Sequence, residues 1–293
     1  MQKIIPHLWY DKEAKEAAEF YVSVFPESKI TSYTVLKGTP SGDCDVMAFN
    51  LWGNDFMSIS AGPYFKLNPS ISFIVGCDTK EQVDGIWEKL NPGGTVRMPI
   101  DKYPFSEWYG WVEDKYGVNW QLILTKPEGE MRPRIVPSLM FTGDKVGKAD
   151  EAIDFYVNIF KGKRGATMRY GAGQEPEKEG NVTFADFELL GTWLAAMESA
   201  QAHKFTFNEA VSLMVSCDTQ EEIDEYWSKL SAVPEAEQCG WLKDKYGVSW
   251  QINPSDLQKI MESGDQAKID RVTQAFLKMK KFDIAELEKA AKG

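Results

Sequence analysis

Histidine is scarce in this 293-residue chain, which has only two, His7 and His203. No paired His, no Cys–His spacing and no Gly-x-Ser-x-Gly is present to support hydrolase chemistry. The four cysteines, Cys44, Cys77, Cys217 and Cys239, are too few and too scattered for a disulfide scaffold. No CxxC occurs, which argues against a thiolate zinc site, and the thiols read as reduced and buried. Long apolar runs are missing: none approaches the ~18–20 residues that span a bilayer. The opening MQKIIPHLWYDKE has no apolar h-region, so no secretory signal is expected. Positive charge is in deficit, 33 Lys and Arg against 44 Asp and Glu, a formal charge of −11. Nucleic acid and anionic membrane surfaces, which need clustered Lys and Arg, are therefore not expected partners. The expectation is a cytoplasmic protein.

Aromatic residues are abundant instead, with ten Trp, eleven Tyr and sixteen Phe, which excludes disorder. They sit in a repeat. Gly110-Trp111-x-x-Asp114-Lys115-Tyr116-Gly117-Val118-x-Trp120-Gln121 returns as Gly240-Trp241-x-x-Asp244-Lys245-Tyr246-Gly247-Val248-x-Trp250-Gln251, with nine of the fourteen positions 109–122 identical. Ser72 to Leu90 matches Ser212 to Leu230, and Phe20-Tyr21-Val22-x-x-Phe25 matches Phe155-Tyr156-Val157-x-x-Phe160. Block order is kept while the offsets change, so the copies differ by loop insertions. The second copy lacks about ten residues between Leu230 and Gly240, where the first has GGTVRMPIDKYPFSEWY. The seam falls in the charged Pro/Gly stretch Lys126-Pro127-Glu128-Gly129-Glu130. This gives one unit over 1–127, a linker over 128–133, a second unit over 134–254 and an extension over 255–293.

Within each copy strands and helices alternate. Ala14, Ala17, Ala18, Tyr21, Val22 and Phe25 share one helical face, as do Ala149, Ala152, Ile153, Tyr156, Val157 and Phe160. A short strand precedes each helix, and strand-like runs such as KITSYTVL, CDVMAFNLW and NDFMSIS follow it. The unit then restarts: Ser70 to Val75 reads as strand, Lys80 to Leu90 as helix, and NWQLIL closes the copy. The reading is α+β, two βαβββ modules per copy, four in the chain. Residues 255–293 read as an amphipathic helix pair packing on the domain or across the seam between copies.

A helix carrying Ala-x-x-Phe-Tyr-x-x-x-Phe after a short strand, then Asp-x-x-Gly-x-x-Trp-Gln before a last strand, resembles the vicinal oxygen chelate superfamily. More narrowly, the chain is similar to the PhnB-like branch, often labelled 3-demethylubiquinone-9 3-methyltransferase. Phe20-Tyr21, Asn68-x-Ser70-x-Ser72, Cys77-Asp78-Thr79, Trp87-x-Lys89-Leu90 and Asp114 to Gln121 carry the resemblance. It implies a tandem pair of glyoxalase-like domains with curved sheets, plus C-terminal helices. Enzymes of the superfamily hold a divalent metal through the first and fourth strands of one module and the equivalent strands of its partner.

The ligand positions are poorly supplied here. His7 stands on the first strand, but the fourth strand, NDFMSIS, and the fifth, SISFIV, offer no His or Glu. Gln121 occupies the last strand where Glu is usual. The second copy has Ser138 for His7 and Gln251 for Gln121, while Glu198 and Glu209 are two carboxylates that could approach one cavity. No metal site and no cofactor are expected. The superfamily's cavity face places His7, Asn119 and Gln121 inward, with Ser138, Ser249 and Gln251 as counterparts, and turns Trp120 under a helix. Phe65 with Asn68, and Phe205 with Asn208, precede the fifth strands as candidate lips. Gly117 and Gly247 are expected at positive φ, and Tyr21 and Tyr156 in the core.

The functional expectation is a protein of unidentified substrate that binds a small molecule in a cavity of the curved sheet. The alternative is a metal-dependent lyase, isomerase or dioxygenase of glyoxalase type. A methyltransferase needs a Gly-rich strand-to-helix loop; the one candidate, Gly171-Ala172-Gly173, runs on into QEPEKEG, which is loop. Whether modules pair within one copy or between copies is left open by the repeat. In either case the chain forms an internal pseudo-dimer, and further assembly into a homo-oligomer is left open.

Overall fold

The apolar periods become four successive modules and a helical tail. The structure, a computed structural model, describes residues 2–125 and 131–293. The seam at residues 126–130 lies outside the described residues. The first module holds β1 (Ile4–Tyr10), α1 (Ala14–Val24), β2 (Lys29–Thr39), β3 (Gly42–Leu51) and β4 (Asn54–Ser60). The second holds β5 (Ile71–Cys77), α2 (Lys80–Leu90), β6 (Thr95–Tyr103), β7 (Ser106–Glu113) and β8 (Asn119–Leu124). The third holds β9 (Ile135–Thr142), α3 (Ala149–Phe160), β10 (Lys163–Arg169), β11 (Val182–Leu189) and β12 (Thr192–Ser199). In the fourth, β13 (Val211–Cys217) and α4 (Gln220–Leu230) are followed only by the three-residue β14 (Trp241–Lys243) and β15 (Ser249–Pro254). The ten-residue deletion has removed one strand and shortened the next, so this module departs from βαβββ.

Sheet order answers the pairing question. One sheet runs β14-β15-β13-β1-β4-β3-β2, the other β10-β11-β12-β9-β5-β8-β7-β6. Each therefore joins a module of one copy to a module of the other, the first with the fourth and the second with the third. Both joins are antiparallel, with His7 opposite Ser212 and Ser138 opposite Ser72. The segments leading into β5 and β13 are tied reciprocally. Asn68 Nδ2 donates to the Thr206 carbonyl at 3.2 Å and Asn208 Nδ2 to the Lys66 carbonyl at 2.8 Å.

Local chemistry explains why the repeated motifs are repeated. Thr79 and Thr219 cap α2 and α4 by accepting from Gln82 N and Glu222 N. Ser60 Oγ and Glu198 Oε1 accept from the first amides of α1 and α3, at Ala14 and Ala149. Asp244 is buried inside its turn: Oδ1 accepts from the Tyr246 and Val248 amides, and Oδ2 from Trp250 Nε1 and the Tyr156 hydroxyl. Asp114 repeats this with Tyr116, Val118 and Trp120. Tyr21 hydrogen-bonds Asp114 as Tyr156 does Asp244, and its hydroxyl also meets that of Tyr10 at 3.2 Å, because Tyr10 stands where the second copy has Phe141. Gly117 and Gly247 close these turns at φ 90° and 93°, where a side chain would strain the backbone. Trp120 and Trp250 are fully buried among helix aromatics, Tyr21 and Phe25 in one copy, Tyr156 and Phe160 in the other.

Three helices, not a pair, form the tail: α5 (Ser255–Met261), α6 (Gln266–Phe276) and α7 (Ile284–Lys292). They pack on the seven-stranded sheet. Gln266 and Gln274 donate to the Val35 and Lys37 carbonyls of the edge strand β2, and Thr34 Oγ1 donates to the Met261 carbonyl at 2.7 Å. An edge that would otherwise be open to another chain is thereby covered.

Candidate ligand-binding site

The two concavities are built alike and filled differently. In the eight-stranded sheet Gln121 points inward, donating from Nε2 to Ser72 Oγ at 2.8 Å. Its Oε1 accepts from the Tyr109 hydroxyl at 2.7 Å. Tyr109 comes from the β6–β7 hairpin that only the first copy possesses. Around it pack Trp111 and Met140, with Met98, Tyr103, Ile123, Met197 and Phe205 against them. Asn119 also points inward but is engaged, accepting from Trp111 Nε1 at 3.1 Å. The chain occupies this concavity itself.

The seven-stranded sheet repeats the same foundation. Gln251 Nε2 donates to Ser212 Oγ at 2.8 Å. The position of Tyr109 is taken by Cys239, and the hairpin is gone. What remains is a cavity of about 480 Å³, with walls from β1 to β4, β13 to β15 and the tail. His7, Gln251 and Asn253 supply polar groups at its floor, and Trp9, Val46, Met57, Ile59 and Met214 supply apolar ones. Leu257, Met261, Phe276 and Phe282 of the tail close it over. The amides of Cys239 and Gly240 donate to the Met279 and Lys280 carbonyls, so the tail binds where the missing hairpin strand would pair.

Unmet hydrogen-bonding capacity collects in this cavity. His7 is 4% exposed, lies edge-on to Trp241 at 5.6 Å, and has no hydrogen-bond partner among the described residues. Asn253 Oδ1, on the cavity lining, is buried without a partner. Gln251 Oε1 has lost the phenol that its counterpart accepts from. Buried polar groups rarely stay unpaired, so these atoms suit the polar group of a ligand.

Burial pushes the His7 pKa down to about 3, so the imidazole is neutral at physiological pH. An unfolded chain takes up this proton below about 6.5, whereas His7 stays neutral to about 3. Stability present above pH 6.5 is therefore lost as pH falls toward 3. Asp114 opposes it: burial pushes its carboxyl up to about 6, so its contribution grows as pH falls. The His7→Ser variant, copying Ser138, isolates the imidazole. Between pH 7 and 4.5 it should lose roughly 2–3 kcal/mol less stability than the parent in urea titrations. An identical pH dependence for both would contradict a buried neutral His7.

The sequence-derived set is thus divided rather than gathered. His7, Gln251 and Ser249 belong to the seven-stranded sheet, with Phe65 on the cavity wall. Gln121, Asn119 and Ser138 belong to the other sheet, so His7 and Gln121 do not share a face of one cavity. The Ser138 hydroxyl is buried without a partner, and Phe205 packs on the self-filled cluster. Asn68 and Asn208 are engaged in tying the crossing segments. Glu198 and Glu209 do not approach one another's cavity. Glu198 caps α3 and also accepts from the Val182 amide, while Glu209 pairs with Lys243 at 2.6 Å beside the open cavity. Sequence reasoning missed Tyr109 as a plug and the tail as a wall. The ten-residue deletion beside a periodic apolar tail was the available signal.

A divalent metal does not fit these residues. The first and last strands present His7, Ser212 and Gln251 in one sheet and Ser138, Ser72 and Gln121 in the other, one imidazole among neutral hydroxyls and amides. Divalent cations are held by several imidazoles, carboxylates or thiolates. No group of three or more His, Cys, Asp or Glu side chains is placed to hold one among the described residues.

A protein family described as 3-demethylubiquinone-9 3-methyltransferase matches residues 2–123 and again 133–253. No protein of curated function matches. A candidate 3-demethylubiquinone-9 3-methyltransferase from Bacillus cereus, also named PhnB protein, is 38% identical over 42% of this chain and 100% of its own, with a TM-score of 0.40. Glyoxalase I from Zea mays is 12% identical, spans 89% of this chain and 97% of its own, and reaches a TM-score of 0.57. A candidate dioxygenase from Bacillus subtilis is 13% identical over 97% of this chain and 94% of its own, at 0.50. At such identities the last two likenesses are of fold alone.

Proposed function

Because the chain belongs to the 3-demethylubiquinone-9 3-methyltransferase family, a vicinal oxygen chelate branch with a glyoxalase-like fold, we propose that it binds one small molecule per chain, in the seven-stranded sheet. The eight-stranded sheet is scaffold. One observation carries this reading: Gln121 is satisfied by Tyr109 of the same chain, whereas Gln251 faces an open, mostly apolar cavity of about 480 Å³. That volume lies within the range of small-molecule sites, where a few fixed polar groups orient an otherwise apolar ligand.

Binding does not need a metal in this reading, since the donor set does not suit one. The family's description names methyl transfer, but Gly171-Ala172-Gly173 joins strand β10 to strand β11. It builds no helix N-terminus to cradle a nucleotide cofactor, so methyl transfer is not part of the proposal. No helix among the described residues is long and apolar enough to cross a membrane. Unpaired thiols at Cys44, Cys77, Cys217 and Cys239 support a reducing, cytoplasmic setting, and the net negative charge supports no nucleic-acid or membrane-surface partner.

The uncharged fluorescent hydrophobe N-phenyl-1-naphthylamine tests the reading. It should bind saturably at one molecule per chain, and Met57→Trp, which puts an indole into the cavity, should weaken binding while the fold is kept. Two equivalents per chain, or binding indifferent to Met57→Trp, would count against a single open site.

A further inference from the structure

The self-filled sheet shows what the open one takes. Gln121 and Gln251 stand at equivalent positions and are oriented alike, each by donating to a serine, Ser72 or Ser212, at 2.8 Å. In the closed sheet the carbonyl end of the amide receives a phenol hydroxyl from Tyr109. The same end of Gln251 looks into the cavity with the phenol removed.

The surroundings of that ring carry over too. Met140, Met197, Phe205 and Ile123 pack around Tyr109 and Trp111. Their equivalents by strand register and repeat offset are Trp9, Ile59, Phe65 and Asn253, and all four line the open cavity. One substitution makes the socket more aromatic, Trp9 for Met140, while Phe65 keeps the ring of Phe205; Trp9 and Phe65 lie edge to face at 5.1 Å, an arrangement suited to a third ring. The fourth adds a polar group, and Asn253 Oδ1 is buried without a partner.

Charge narrows the choice further. The wall carries the carboxylates Glu209 and Glu235, and Lys243, beside it, is already paired with Glu209 at 2.6 Å. A carboxylate or phosphate on the ligand would have to compete with Glu209 for Lys243 or be buried without a counter-charge, either of which is costly.

Resting on the proposed cavity, we propose that the ligand is an uncharged phenol, an aromatic ring whose hydroxyl donates to Gln251 Oε1 as Tyr109 donates to Gln121. The chain carries a tethered copy of its own ligand in the other sheet. Ring and apolar substituents lie between Trp9, Phe65 and Ile59, under the tail.

Calorimetry with 4-hexylphenol, its methyl ether and 4-hexylbenzoate on the full chain tests the assignment. The ether keeps ring and shape but cannot donate, and should bind about tenfold more weakly than the phenol, the usual scale for leaving a buried acceptor unpaired. The benzoate should bind more weakly than either. In Gln251→Met the phenol–ether gap should close, while in Gln121→Met, which alters the other sheet, it should persist. Circular dichroism establishes that each variant is folded. Equal affinity for phenol and ether in the parent, or a gap that survives Gln251→Met, would overturn the phenol assignment. If N-phenyl-1-naphthylamine binds and no phenol displaces it, the assignment fails and the open cavity stands. If the dye does not bind either, both fail together.

Discussion

Replacing Asp244 by Ala should lower unfolding stability by about 3–5 kcal/mol. The carboxylate meets four donors, the Tyr246 and Val248 amides, Trp250 Nε1 and the Tyr156 hydroxyl. Truncation leaves all four buried and unpaired, and each such group costs about 1–3 kcal/mol before neighbours relax. Burial raises the Asp244 pKa, so the carboxyl is itself held at a cost that its donors offset. Asp114→Ala should behave alike, since the Tyr116 and Val118 amides, Trp120 Nε1 and the Tyr21 hydroxyl meet that carboxyl. Chemical denaturation of both variants checks this, and a loss under about 1 kcal/mol would mean that the turn holds together without its carboxylate.

Residues 2–125 produced alone should not persist as a folded monomer. β1 pairs with β13 and β5 with β9, so the first repeat contributes half of each sheet and completes neither. Cutting the chain at the seam exposes two central strands at once, with Ile4, Leu8 and Phe73 among the side chains uncovered. Exposed edges of this kind pair with whatever strand is offered. Two copies of the repeat can satisfy each other by pairing β1 of one with β5 of the next. Light scattering after size exclusion should therefore show a dimer or an unfolded chain. A monomer with native near-UV circular dichroism would contradict the exchanged topology.

Most of the architecture was legible because the two copies report on each other. The strands, helices and C-terminal periodicity follow from apolar spacing, and Asp-Lys-Tyr-Gly-Val-x-Trp-Gln repeats because a buried carboxylate, a positive-φ glycine and a packed indole depend on one another. The exchange of modules was not legible. Pairing β1 with β13 or with β5 buries the same alternating residues, and the difference lies in crossing segments tied by Asn68 and Asn208. Those asparagines read as cavity lips because a polar residue beside a phenylalanine before a strand looks the same whether it serves a ligand or a carbonyl.

The candidate site was half legible. The superfamily resemblance, with strand alternation, placed Gln121 and Gln251 inward, but a sequence shows neither what opposes an amide nor which concavity its own chain fills. Tyr109 reads as one aromatic on an amphipathic hairpin, and only in space does its hydroxyl reach Gln121. Likewise the tail reads as a surface helix pair, although Met261 and Phe276 wall the cavity that the lost hairpin left open. Deletion and extension meet in space, where the Cys239 and Gly240 amides donate to the Met279 and Lys280 carbonyls.

Crystals of the full chain pressurised with xenon would test most directly whether one concavity is open and the other closed, since xenon enters apolar space without needing a hydrogen bond. Xenon density is expected between Trp9, Ile59 and Met214 in the seven-stranded sheet, with none around Tyr109. Density beside Tyr109 and Met140, or an unoccupied cavity at Met214, would contradict the assignment of the seven-stranded sheet as the binding site.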